Sequence, residues 1–192
     1  MTADVEIRRA GNRFRTDHEG ITTFHSFSYG RHYDPENVGF GPVIAINEEC
    51  VPPGGGYDMH FHSDVEIVTW VLEGALAHED TTGADGVLEP GSLNWLDAAD
   101  GVRHAERNAS AAEPLRFLQV MLRSDRESAN VTVVTDPTTV TGPALVHALD
   151  GGVSVEGTVL DAGDEARLTG SRPYDVDASA SASALVIEVR RA

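Results

Sequence analysis

Lysine is absent from this chain: every one of its 14 basic residues is arginine. That excludes a Schiff-base lysine and the lysine contact of a phosphate-binding P-loop. Basic charge as a whole is scarce, 14 residues against 31 acidic ones, for a formal net charge of -17 at pH 7. A surface of that sign repels phosphate backbones and anionic lipid, so direct nucleic-acid binding and membrane attachment are not expected. Cysteine is nearly absent too. The single thiol, Cys50, can form no intrachain disulfide, and with no charged-then-apolar leader at the start the expected compartment is the reducing cytoplasm. No apolar run approaches the roughly 20 residues that span a bilayer, and no long amphipathic helix is visible. The 192 residues are nonetheless enough to bury a core, as one large domain or two small ones.

What the chain does have is short runs of Val, Ile, Leu, Trp and Thr separated by Gly, Asp and Pro, the pattern of strands joined by tight turns. Strands are expected near Val43 to Asn47, Val65 to Leu72, Ala75 to Glu79, Leu93 to Leu96 and Leu115 to Leu122, with a hairpin loop at Thr81-Thr82-Gly83 and a turn at Glu89-Pro90-Gly91. Their spacing predicts a sandwich or barrel. After Arg123 the polar stretch Ser124 to Asn130 reads as a boundary. Beyond it Val131 to Thr135, Val153 to Val159 and Ala184 to Val189 make a second set of strand-like runs, and Ser179 to Ser183 reads as a loop.

His60-Phe61-His62 sets two imidazoles at i and i+2. On an extended strand these share a face, about 7 Å apart along the backbone, and can chelate one ion together. His104-Ala105-Glu106 repeats the spacing 42 residues after His62, so a second strand could bring another imidazole and a carboxylate to the same point. Three neutral nitrogens and a carboxylate suit Fe(II), Mn, Ni, Cu or Zn, and on an octahedral ion they leave two positions for water, dioxygen or a chelating substrate. A lone histidine in a strand is ordinarily a surface or hydrogen-bonded residue; the paired spacing and its repetition turn these residues towards metal. Glu66 shares the parity of His60 and His62, so geometry alone leaves Glu66 open beside Glu106 as the fourth donor.

The surroundings resemble a known family. Gly54, His60-x-His62, Glu66 and Gly74 resemble the first cupin motif, and Pro90-x2-Leu93 followed by His104-x3-Asn108 resembles the second. More specifically, Tyr33-Asp34-Pro35, Gly39-Phe40-Gly41, Ile46-Asn47-Glu48, Thr69-Trp70-Val71-Leu72-Glu73-Gly74, His78-x-Asp80-x2-Gly83 and Gly101-Val102-x-His104-x-Glu106 resemble, in order, the signature of the pirin family. The resemblance implies an all-β, bicupin-like double β-barrel of the jelly-roll type. Residues 1–125 would form the metal-binding N-terminal cupin, and residues 126–192 a shortened, metal-free C-terminal half. It implies one divalent transition-metal ion, iron first, held by His60, His62, His104 and Glu106, with Glu66 outside the ligand set. Three departures alter the pocket rim and remove no ligand: Phe61 where the family usually has proline, Ser63-Asp64 where a basic residue often follows, and Ala105 for the usual serine.

Some pirin-like proteins open the central ring of flavonols such as quercetin with dioxygen. The resemblance therefore implies a dioxygenase acting on a small aromatic substrate and O2, in which Glu106 is also the base that takes the substrate's hydroxyl proton. Other pirins act through protein partners, so the alternative is a non-catalytic, redox-responsive regulator whose acidic charge suits a basic partner. A sugar- or acid-binding isomerase is a weaker reading, because the chain lacks the lysine many such enzymes use. Phe40, Phe61, Trp70 and Trp95 would suit an aromatic substrate at the pocket mouth, and equally read as barrel core. His18, His25 and His32, interrupted by Gly20 and Gly30, read as ordinary loop or strand residues; His78, beside Glu79 and Asp80, as a hairpin shoulder; Cys50 as a buried inert thiol. Gly54-Gly55-Gly56 has no strand-loop-helix setting and reads as a flexible approach to the ligand strand.

Overall fold

The computed structural model describes residues 4–124, 128–178 and 181–190. Among these residues there are strands and one single-turn 3-10 helix, Ala10–Asn12, and no helix long and apolar enough to cross a membrane. The strands are β1 (Val5–Arg8), β2 (Phe14–His18), β3 (Ile21–His25), β4 (Val43–Val51), β5 (Gly56–His62), β6 (Val65–Glu73), β7 (Leu76–Asp80), β8 (Gly86–Leu88), β9 (Leu93–Asp97), β10 (Val102–Asn108) and β11 (Leu115–Arg123). They continue with β12 (Ser128–Val134), β13 (Thr138–Thr141), β14 (Ala144–Ala148), β15 (Val153–Val155), β16 (Thr158–Leu160), β17 (Glu165–Leu168), β18 (Pro173–Asp177) and β19 (Ala184–Arg190). Neighbouring strands pair antiparallel throughout, and the expected all-β class is what the chain adopts. Of the two stretches read as boundary and loop, residues 125–127 and 179–180 lie outside the described residues.

The chain divides into two compact units. In the first, described residues 14–39 and 43–124, a six-stranded sheet ordered β2-β3-β4-β11-β6-β9 accompanies a four-stranded sheet ordered β5-β10-β7-β8. Strand alternation decides which side chains face inwards. Along β6 the inward set is Val65, Ile67, Thr69 and Val71; along β11 it is Leu115, Phe117, Gln119 and Met121; along β4 it is Ala45, Asn47, Glu49 and Val51. The apolar members gather into two separate clusters. One holds Ala45, Val65, Ile67 and Met121; the other holds Val51, Val71, Leu115 and Phe117. In every one of these strands a polar residue lies between the two clusters, so a polar belt crosses the interior of the unit between two apolar plugs.

The second unit contains a five-stranded sheet ordered β1-β17-β14-β19-β12 and a four-stranded sheet ordered β13-β18-β15-β16. Its core takes alternate residues from both sheets: Ala144, Val146 and Ala148 from β14, Ala166 and Leu168 from β17, Val153 and Val155 from β15, Tyr174 and Val176 from β18. Here the structure departs from the expected division at residue 125, because the opening strand belongs to this unit. β1 pairs along β17, Val5 opposite Leu168 and Ile7 opposite Ala166, and those two apolar side chains pack on the same core. Asp4 fixes the strand's start. Its carboxylate accepts from the Tyr174 hydroxyl and the Arg172 guanidinium, each at 2.8 Å. The five-stranded sheet of this unit thus takes its edge strand, β1, from a segment distant in sequence.

Candidate metal centre

His60 and His62 lie on β5, and His104 lies on β10 directly opposite His60 in the antiparallel register. The pairing sets the three imidazoles ring to ring, with centroids 4.4 Å apart for His60 and His104, 4.8 Å for His60 and His62, and 5.0 Å for His62 and His104. One ring nitrogen from each falls within 4.8 Å of the others. His60 Nδ1 donates to the Asp58 carbonyl at 2.8 Å, which leaves its Nε2 lone pair directed elsewhere. His62 Nε2 and both ring nitrogens of His104 are buried with no hydrogen-bond partner. Buried polar atoms are ordinarily paired, so the orphaned nitrogens of His62 and His104, one from each ring clustered with a nitrogen of His60, fit a metal ion that would take one nitrogen from each imidazole. Burial, and then the neighbouring imidazoles, pushes His104 down to about 3. Burial and His60 lower His62 in the same way. Both are therefore neutral at physiological pH, the form in which imidazole binds metal.

Glu106 follows His104 by two residues and is 2 % exposed. Its carboxylate lies outside the mutual cluster of the three histidines and lines the same pocket as His60 and His62. Oε2 accepts from Gln119 Nε2 at 2.8 Å, and Oε1 only loosely from Thr69 Oγ1 at 3.4 Å. Burial raises the carboxyl to about 7, the Gln119 bond works against that, and the nearby Glu49 carboxylate adds to it. The pocket has a volume of about 300 Å³ and runs from the histidines along the polar belt, past Tyr57, Glu49 and Asn47, to His25, Tyr29 and Arg31. Thr23 Oγ1 and Tyr57 Oη both donate to Glu49 Oε2, at 2.6 and 2.7 Å. Tyr57 reaches this wall through a register shift between His104 and Glu106: two residues of β10 face three of β5, a bulge that puts Tyr57 opposite Glu106. Gly56 makes the close approach possible, since a Cβ there would lie 2.5 Å from the Glu106 carbonyl oxygen.

The sequence profile of the family described as Pirin matches residues 6–122, more than half of the chain. The chain belongs to the pirin family. A Mycobacterium tuberculosis relative whose name, quercetin 2,3-dioxygenase, is a provisional assignment is 46% identical over 125 residues, 65% of this chain and 51% of that protein. The quercetin 2,3-dioxygenase of Escherichia coli K12 is 34% identical over 118 residues, 62% of this chain and 51% of that one. The chain thus spans about half the length of the relatives it matches in sequence. Its fold is that of the bacterial pirin YhhW from Escherichia coli, solved in complex with nickel(II), with a TM-score of 0.86 at 20% identity over 98% of this chain and 100% of the other.

Other residues singled out from the pirin-like motifs fall in varied places. Glu66 sits on the face of β6 away from Thr69, and its carboxylate accepts from Trp95 Nε1 at 2.8 Å. The parity it shares with His60 and His62 is interrupted at Asp64, whose φ of 61° ends β5 and starts a strand of the other sheet. His78 is more than a hairpin shoulder: it is buried opposite Glu106, its ring 5.5 Å from that of His104. His25 is buried on the pocket wall, with Asn47 on Nδ1 and Thr16 on Nε2. None of Phe40, Phe61, Trp70 and Trp95 lines the pocket. Phe61, between two inward histidines, points outwards and is 58% exposed; the aromatic rings on the wall are Tyr29 and Tyr57. Cys50 is half-buried on the face of β4 opposite Glu49. Thr23, Asn47, Glu49, Tyr57, Thr69 and Gln119 have no site role legible in the motifs themselves, although Asn47 and Thr69 stand within the pirin-like strings.

Proposed function

We propose that the chain is a metal-dependent dioxygenase of the pirin type that opens the ring of a flavonol-like, quercetin-like substrate with O2. The observation that carries this reading is the convergence of His60, His62 and His104, two of them with orphaned buried nitrogens, at one end of a pocket lined with hydrogen-bonding side chains. Glu106 is the fourth donor: with Oε2 held by Gln119, the loosely bound Oε1 is the atom left for an ion. A divalent ion bound there, iron by preference, supplies Lewis acidity towards a hydroxy-ketone and towards dioxygen. The protein's own part is to orient and to exclude water. Asn47 and Arg31 offer donors along the pocket to the hydroxyl and carbonyl oxygens of a polyphenol, Tyr57 and Thr23, whose protons go to Glu49, offer acceptor lone pairs to its hydroxyls, and the apolar clusters on either side of the belt close off the interior. A volume of about 300 Å³ lies at the lower end of the range for small-molecule sites.

The test is reconstitution in turn with Fe(II), Mn(II), Ni(II), Cu(II) and Zn(II), following flavonol absorbance with and without oxygen. Turnover that needs both metal and oxygen and is abolished by His62→Ala is the expected result. Stoichiometric metal with no turnover on any flavonol would sink the dioxygenase reading and favour a regulator acting through a protein partner.

A further inference from the structure

We propose that Glu49 is the catalytic base of this pocket, taking the proton from the substrate hydroxyl through its Oε1. The inference rests on the reading of the pocket as a site for a hydroxylated aromatic, and it separates two tasks that family resemblance gives to Glu106 alone. A carboxylate that is both ligand and base must loosen one bond to make the other, and Glu106 has no oxygen to spare. Oε2 is engaged by Gln119 and Oε1 is the atom left for an ion.

Glu49 is arranged differently. It lies on the inward face of β4, buried, on the pocket wall. Both hydroxyl donors, Thr23 and Tyr57, fall on Oε2, and Oε1 makes no hydrogen bond among the described residues. One oxygen is thus anchored from two strands while the other is unengaged in the pocket. Outside the imidazole cluster, His25, Tyr57 and Tyr29 on the wall are poor acceptors. Both His25 nitrogens are engaged, by Asn47 and Thr16. Tyr57 and Tyr29 are raised by burial first and by nearby carboxylates, so each stays a protonated donor. Burial also raises Glu49 itself, against the pull of its two hydroxyl donors, and a carboxylate raised in this way is a stronger base once ionised.

The step is a simple proton transfer. The substrate O–H bond breaks, a bond forms between that proton and Glu49 Oε1, and the electron pair stays on the substrate oxygen. No electron changes hands. The transfer leaves Glu49 neutral, which its burial favours, and moves the negative charge to the ligand.

The experiment is an anaerobic titration of the nickel(II)-loaded protein with quercetin, reading the red-shifted absorbance of the flavonol anion in wild type, Glu49→Gln and Glu49→Asp, with metal content measured alongside. Wild type is expected to bind quercetin as the anion. Glu49→Gln should hold wild-type nickel and bind quercetin as the neutral form, and in air its turnover should fall about 10²- to 10⁴-fold, the usual contribution of a positioned base. Glu49→Asp, which keeps the charge one methylene further back, should give a mixed spectrum, and it serves as the deciding variant if Glu49→Gln does not fold. A full anion spectrum in whichever variants fold would overturn the role of Glu49 and leave the substrate reading standing. Failure of wild type to bind quercetin at all would overturn the substrate reading and this inference with it.

Discussion

Replacing Gln119 with leucine tests the proposed role of Glu106 as the acidic donor of the centre. Gln119 Nε2 reaches Glu106 Oε2 at 2.8 Å between two buried side chains, and leucine keeps most of the bulk while removing the donor. A hydrogen bond to a charged group contributes about 1.5–3 kcal/mol, so at about 1.4 kcal/mol per tenfold its loss raises the Glu106 carboxyl by about one to two pH units. The carboxyl already stands at about 7, because burial outweighs the donors. At pH 7 its ionised fraction would then fall roughly five- to fifty-fold. An ion that needs the carboxylate must displace that proton, so apparent metal affinity at pH 7 should drop by about the same factor and recover as the pH rises towards about 9. Competition of the protein with a chromogenic chelator for nickel(II), across that pH range, reads the effect. Wild-type affinity in Gln119→Leu at pH 7, or a deficit that does not shrink as the pH rises, would refute the reasoning.

Other perturbations have equally definite outcomes. In the metal-free protein, Glu106 titrates near 7 folded and near 4.5 in its unperturbed state, so the folded state binds more protons in that window and loses stability as the pH rises through it. His104, about 3 folded against 6.5, works in the opposite sense between those values. Urea midpoints of the metal-free protein should therefore rise more steeply between about pH 4.5 and 6.5 in Glu106→Gln than in wild type. Gly56→Ala, which forces a methyl against the β10 backbone, should lower metal affinity as the two ligand strands part, measured by the same chelator competition. Asp4→Ala leaves Arg172 and the buried Tyr174 hydroxyl without this acceptor and should destabilise the second unit by about 1–3 kcal/mol, seen as a lower unfolding midpoint with nickel stoichiometry unchanged. Phe117→Ala opens one of the apolar plugs beside the belt and should cost about 3–5 kcal/mol in chemical denaturation.

The clustering of His60, His62 and His104 was legible because its signal is local: i, i+2 spacing on a strand fixes a shared face whatever the rest of the chain does. Most of the pocket wall was not read, although part of its signal is in the sequence. Gln119 occupies an inward position in the alternating set Leu115, Phe117, Gln119, Met121, and Thr69 does so among Val65, Ile67 and Val71. A polar residue interrupting such a set marks a buried polar layer, and applying that rule along β4 would have found Asn47 and Glu49. Tyr57 is a different case. It stands three residues before His60, the wrong parity for a shared face, and only the bulge in β5 turns it inwards. Glu66 misleads in the reverse way, since parity counted through a turn carries no meaning once Asp64 has adopted a positive φ. The placement of β1 was beyond local reading, because its partner β17 lies near the other end of the chain and nothing within Val5–Arg8 names that partner.

The measurement that bears most directly on the account is equilibrium dialysis of the wild-type protein and His104→Ala against nickel(II). His104 has both ring nitrogens buried without a partner and sits beside both other imidazoles. One tightly held equivalent is expected in the wild type and none in the variant at the same free nickel(II). An equivalent retained undiminished by His104→Ala would place the metal elsewhere and contradict the assignment of this centre.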